Sequence, residues 1–154
     1  MDTNEIMRGQ LWRLLERSEA HTSLDAAVAD IAPETRGTRP AGLPHSGWEL
    51  LEHIRLAQRD ILEFCQDAVY PERAWPAEYW PPTSAPPSPE AWEQSVASVQ
   101  RDREEFQRLI TDPGVDLFGI VPHGTTQTYV REVLVAADHN AYHVGQLMVV
   151  RRLL

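Results

Sequence analysis

Apolar residues recur at three- and four-residue intervals in four long stretches, and no stretch of weight alternates as a strand does. The first runs from about Asn4 to Glu19, with Ile6, Leu11, Leu14 and Leu15 as a loose stripe that Gly9 weakens. A short helix is expected next, capped by Thr22 or Ser23 ahead of Leu24-Asp25-Ala26-Ala27-Val28 and ended near Pro33. Gly37 to Pro44 is a breaker loop. The second long stretch has the clearest start. Ser46-Gly47-Trp48-Glu49 fits a capping box, in which each side chain accepts from the other residue's backbone N–H. Leu50, Ile54, Ala57, Ile61 and Phe64 then share a face, and the helix should stop before Pro71. The third stretch begins at Ser88-Pro89, a cap followed by proline at the first helical position. Trp92, Val96, Val99, Phe106, Leu109 and Ile110 mark its buried side, and Asp112-Pro113-Gly114 ends it. Val115 to Gln127 reads as a loop, and the fourth helix runs from about Thr128, its cap, to Leu154.

These elements predict an all-α fold, a four-helix bundle with long crossover connections, in one domain spanning 1–154. Between Pro71 and Pro89 the chain is dense in proline and carries Trp75, Tyr79 and Trp80, which excludes regular helix. One reading is a flexible linker. The preferred one is an ordered crossover strapped along the bundle, because three large aromatics would be wasted in solvent. A segment this long without regular structure also points to a functional role.

Charge narrows the partners. A net charge of −9 leaves no basic stripe for phosphate, so neither nucleic acid nor an anionic membrane surface is expected. Cys65 is the lone cysteine, which fits a reducing cytoplasm. No basic and apolar leader is visible at the start, and no apolar run approaches the roughly 20 residues of a membrane span.

The candidate chemistry lies in histidines. His139 and His143 stand four apart on the fourth helix, which puts their Cβ atoms about 6 Å apart on one face. That face, with Glu132, Val135, Ala136, Gln146, Leu147 and Val150, is mostly apolar and should be buried. Two imidazoles at this spacing can bind one divalent metal at roughly 2.0–2.1 Å. The plain alternative is two core histidines bonded to neighbours. Side by side in a core, both charged would repel, and both neutral would need several partners. A metal relieves that by taking a lone pair from each. A third ligand must come from another helix, and His53 is the only histidine inside one. Three protein ligands and an open position is the pattern of catalytic zinc. His45 and His123 lie in loops and read as surface or capping residues, with His123 a candidate for a pocket mouth; His21 reads as exposed. Cys65 stands roughly 18 Å along the helix from His53 and cannot share its metal. Asn140 occupies the place where a zinc protease carries its glutamate base, and no Gly-x-Ser-x-Gly or phosphate-cradling loop is present.

At His45-Ser46-Gly47-Trp48-Glu49-Leu50-Leu51-Glu52-His53 and Asp138-His139-Asn140-Ala141-Tyr142-His143-Val144-Gly145-Gln146-Leu147 the chain resembles the DinB-like (DinB/YfiT-like) metalloenzyme superfamily. Pro122-His123-Gly124 with Gln127-Thr128 looks like one branch of it. The resemblance covers most of the chain. It implies a four-helix bundle, often a homodimer, holding zinc, nickel, iron or another divalent metal on His53, His139 and His143. Some relatives are transferases or isomerases that use a low-molecular-weight thiol such as bacillithiol or mycothiol.

Three neutral imidazoles leave the ion's charge uncompensated, so the open positions favour an anion. A coordinated thiol loses its proton, and a bound water has its pKa lowered to about 7. The leading expectation is an enzyme activating a thiol, or less favourably water, against a small electrophile. Gln146 would orient a ligand or nucleophile, and Glu49 and Asp60 would hydrogen-bond around His53. No general base is evident. The alternatives are a non-catalytic metal- or small-ligand-binding protein in stress response or detoxification, and a plain helical interaction module.

Overall fold

The computed structural model describes residues 2–16, 20–66 and 69–154. Four long helices form the bundle: α1 (Thr3–Glu16), α3 (Gly47–Gln66), α4 (Pro89–Thr111) and α5 (Tyr129–Leu153). A short α2 (Leu24–Ala29) packs on α5. Helix α3 is the hub, packed against both α4 and α5, while α1 packs on α4 and α5. The all-α bundle read from the sequence is the one observed. Residues 17–19, expected as the end of the first helix, lie outside the described residues.

The caps fall where the side-chain chemistry put them. Ser23 Oγ accepts from Ala26 N–H at 3.1 Å, Ser88 Oγ from Ala91 N–H at 3.3 Å and Thr128 Oγ1 from Arg131 N–H at 3.4 Å. The capping box closes reciprocally: Glu49 N–H donates to Ser46 Oγ at 3.2 Å and Ser46 N–H to Glu49 Oε2 at 2.8 Å. Each cap satisfies a backbone donor that the first helical turn would leave open, worth about 1 kcal/mol.

The stripe on α1 is narrower than the sequence implies. Leu11 is buried, but Ile6 and Leu14 are about half exposed. The same helix sends Arg8 across to the end of α4, where its guanidinium donates to the carbonyls of Ile110, Asp112 and Val115. A cation there satisfies open carbonyls and opposes the negative end of the helix dipole.

The core is divided. One cluster gathers Leu50, Leu51 and Ile54 of α3, Trp92 and Val99 of α4, and Val144, Leu147 and Val150 of α5. The other gathers Leu62 and Cys65, Phe106 and Ile110, and Val133 and Ala136. Val133 and Val144 were not on the face assigned to α5 from sequence, yet both are buried. Their neighbours α1, α2 and α3 cover the helix on more than one side. A polar layer crosses the bundle between the clusters. There Asn140 Nδ2 donates to Gln58 Oε1 at 2.6 Å, and Gln58 Nε2 donates to the Val99 carbonyl at 2.8 Å.

Among the described residues no helix is long and apolar enough to cross a membrane. The segment 71–88 is an ordered strap. Tyr70 and Tyr79 hydroxyls each donate to Asp60 at 2.6 Å, and Arg73 donates to Asp60 and Glu63 at 2.7 Å. Near its far end, the Ser84 carbonyl accepts from Ser46 Oγ.

Candidate metal centre

The imidazoles of His53, His139 and His143 meet between α3 and α5. Each offers one nitrogen, and these nitrogens lie within 4.8 Å of one another. The closest pair, His53 Nε2 and His139 Nε2, are 3.1 Å apart. Two nitrogens bonded to one ion at about 2.1 Å must lie within roughly 4.2 Å of each other, so this pair already meets the condition. The rings pack tilted or edge-on, with centroids 4.5–4.9 Å apart.

The outer nitrogens fix the tautomers. His53 Nδ1 lies 2.8 Å from the Tyr79 carbonyl. A carbonyl only accepts, so Nδ1 carries the proton and Nε2 presents a bare lone pair. His143 Nδ1 lies 2.7 Å from Gln146 Oε1, with the same consequence. Gln146 Nε2 in turn donates to the Tyr142 hydroxyl at 3.3 Å. His139 Nδ1 is buried and makes no hydrogen bond of good geometry among the described residues, although the Asn140 side chain lies near enough to favour the protonated ring.

The two facing Nε2 atoms test the site for a cation. If His139 donated from Nε2 to His53, its own Nδ1 would be a bare acceptor buried without a donor. If the proton sits on Nδ1 instead, that nitrogen is a buried donor with no better partner, and two lone pairs face each other at 3.1 Å. A divalent ion between them turns the repulsion of the second arrangement into two bonds. Burial lowers the pKa of all three imidazoles, His143 to about 4, and proximity to one another lowers His139 and His143 further. Neutral imidazole is the form that ligates. The three-histidine cluster therefore fits a divalent metal.

The strap supplies contacts that sequence reasoning missed. Trp80 stacks on His53 with centroids 4.0 Å apart, and also on His45 at 4.1 Å. His45, read as a surface or capping residue, is thus half-buried beside the site. Trp75 lies tilted 6.4 Å from His53 and is 71% exposed. The aromatic density of the segment was the available signal. Which ring meets which histidine depends on the path of the crossover, which no local pattern carries.

The remaining residues singled out from sequence fall in different places. Gln146 holds His143, as above. Asp60 does not touch His53 directly; it holds the hydroxyl of Tyr79, whose carbonyl receives His53 Nδ1. Burial and the Asp60 carboxylate push the Tyr79 phenol up to about 12, so it stays a donor. Glu49 is taken by the Arg39 guanidinium and by the Ser46 N–H. His123 lies outside the three-nitrogen group, with Phe64 and Tyr70 as ring neighbours at 6.3 and 5.7 Å. Cys65 is buried in the apolar cluster, its thiol pushed up to about 12 mainly by burial.

No curated protein and no solved structure is significantly similar to the chain. The family model of the DinB superfamily matches residues 16–147, and the chain belongs to that superfamily.

Proposed function

We propose that this protein is a metal-dependent enzyme in which His53, His139 and His143 hold a divalent ion that activates a low-molecular-weight thiol for attack on a small electrophile. The observation that carries it is the convergence of three neutral imidazole nitrogens from two helices, two of them with the opposite nitrogen already bonded to an oxygen. A divalent ion on three neutral ligands keeps its full charge, which acidifies a thiol or water bound beside it. The residues of the chain orient the site. Tyr79 fixes the ring of His53, Gln146 fixes that of His143, and Trp80 covers the face of His53. In the reaction the thiol proton leaves to solvent. A sulfur–carbon bond forms as the electrophile's leaving group departs with its bonding pair.

Two measurements test this in sequence. Elemental analysis of protein purified without a His-tag should find close to one divalent metal per chain, and much less in His53→Ala. Conjugation of bacillithiol, mycothiol or glutathione to 1-chloro-2,4-dinitrobenzene should then require the metal and be lost in His139→Ala with helicity intact. No metal in the parent overturns the site. Metal without turnover of any thiol across several metals overturns the enzyme and leaves a binding protein.

A further inference from the structure

Helix α5 carries a glycine for which the helix has no use. Gly145 sits in its interior, where glycine lowers helix stability relative to alanine. Its φ is not in the left-handed region. A Cβ built there would meet nothing within 4 Å, so no neighbouring element needs its absence. What Gly145 borders is a cavity of about 320 Å³ between α5 and the start of α3.

We infer that this cavity is a ligand subsite that takes the apolar, uncharged body of a small molecule. The inference rests on the reading above in one respect, that the bound molecule is the electrophile. The volume is at the lower end of small-molecule sites, which run from about 300 to 1,000 Å³. Leu43, Pro44, Leu50 and Val149 supply apolar walls, and among the described residues no Asp, Glu, Lys or Arg borders the space. A charged ligand would lose its hydration there without gaining a counter-charge. The polar atoms at the rim belong to His45, Gln146 and Tyr142.

Those three side chains are the ones that touch the metal-binding imidazoles or their cover. Gln146 accepts from His143, Tyr142 packs edge-on to His143 at 4.9 Å, and His45 stacks on the Trp80 that stacks on His53. His53, His139 and His143 do not themselves line the cavity, but these three neighbours of theirs or of their cover do, so it lies beside the candidate metal centre. Tyr142 is 65% exposed, and a flat ligand laid along its ring would cover it. Such a molecule would reach Gln146, which lines the cavity and accepts from His143.

Calorimetric titration with 1-naphthol tests this on protein as purified, with metal content recorded. The parent should bind it saturably, and at least tenfold more tightly than 1-naphthalenesulfonate. Gly145→Leu, which grows a side chain at the cavity wall, should weaken naphthol at least tenfold while leaving helicity and metal content at parent values. Gly145→Ala should bind nearly as the parent does, and Val149→Trp, one turn further along the same helix, should repeat the loss. Equal binding in parent and both filled variants overturns the inference, as does absence of saturable binding. So does a parent dimer that Gly145→Leu converts to a monomer, which would assign the face to a second copy of the chain. Failure of thiol conjugation would leave the naphthol result standing, so the two readings fail separately.

Discussion

Trp80 lies flat against His53, with the two ring planes 2° from parallel. The contact holds the imidazole face from one side while the Tyr79 carbonyl holds its Nδ1 edge. Removing the indole frees the ring to tilt without removing the imidazole. Trp80→Ala should therefore weaken zinc binding about tenfold, in the range found when groups that orient a ligand are lost. Competition against a chromophoric chelator measures it. An unchanged affinity would mean that the hydrogen bond alone orients the ring.

Asp60 is the anchor of the strap, accepting from two phenols and from Arg73. Asp60→Asn removes the charge and turns one acceptor into a donor facing donors. The loss should be about 2 kcal/mol, typical of hydrogen bonds to a charged group. Urea unfolding should show it as a lower midpoint, and amides of 71–82 should exchange faster. Because Glu63 keeps its own bond to Arg73, the bundle should still fold.

The metal-free protein should lose stability on mild acidification. Native His143 has a pKa of about 4, set chiefly by burial, against 6.5 in the unfolded chain. Between those values the unfolded chain takes up a proton that the folded chain refuses. The stability present above pH 6.5 is thus lost as pH falls toward 4, and His53 and His139 act in the same direction. Asp102, whose carboxyl is raised by burial, acts in the opposite sense. Thermal melts of metal-free protein at pH 7.5, 6 and 5 should descend, and His143→Gln should flatten the trend.

Much of this was legible because helical spacing is a local rule. His139 and His143 are neighbours on any α-helix, whatever surrounds them. The caps at Ser46, Ser88 and Thr128 are equally local. The meeting of His53 with that pair depends on how α3 and α5 lie against each other; the sequence pointed to it only by elimination, as the one histidine inside another long helix, with the family resemblance in support. Glu49 illustrates the limit. Its proximity to His53 in sequence marked it as a partner, but the capping box and Arg39 take both its oxygens. The exposure of Ile6 and Leu14 has a related cause, since an amphipathic stripe shows which side a helix buries but not how wide a surface its neighbours offer.

The Ser46 hydroxyl joins two distant segments. Ser46 Oγ receives the Glu49 N–H at the first turn of α3 and gives its own hydrogen to the Ser84 carbonyl in the strap. Fraying at one end of a helix and detachment of a distant crossover are ordinarily separate excursions from the native state. Here they share an atom, so opening either one weakens the other. The two segments should behave as a single cooperative unit, exposing their amides to solvent together and at the same free energy.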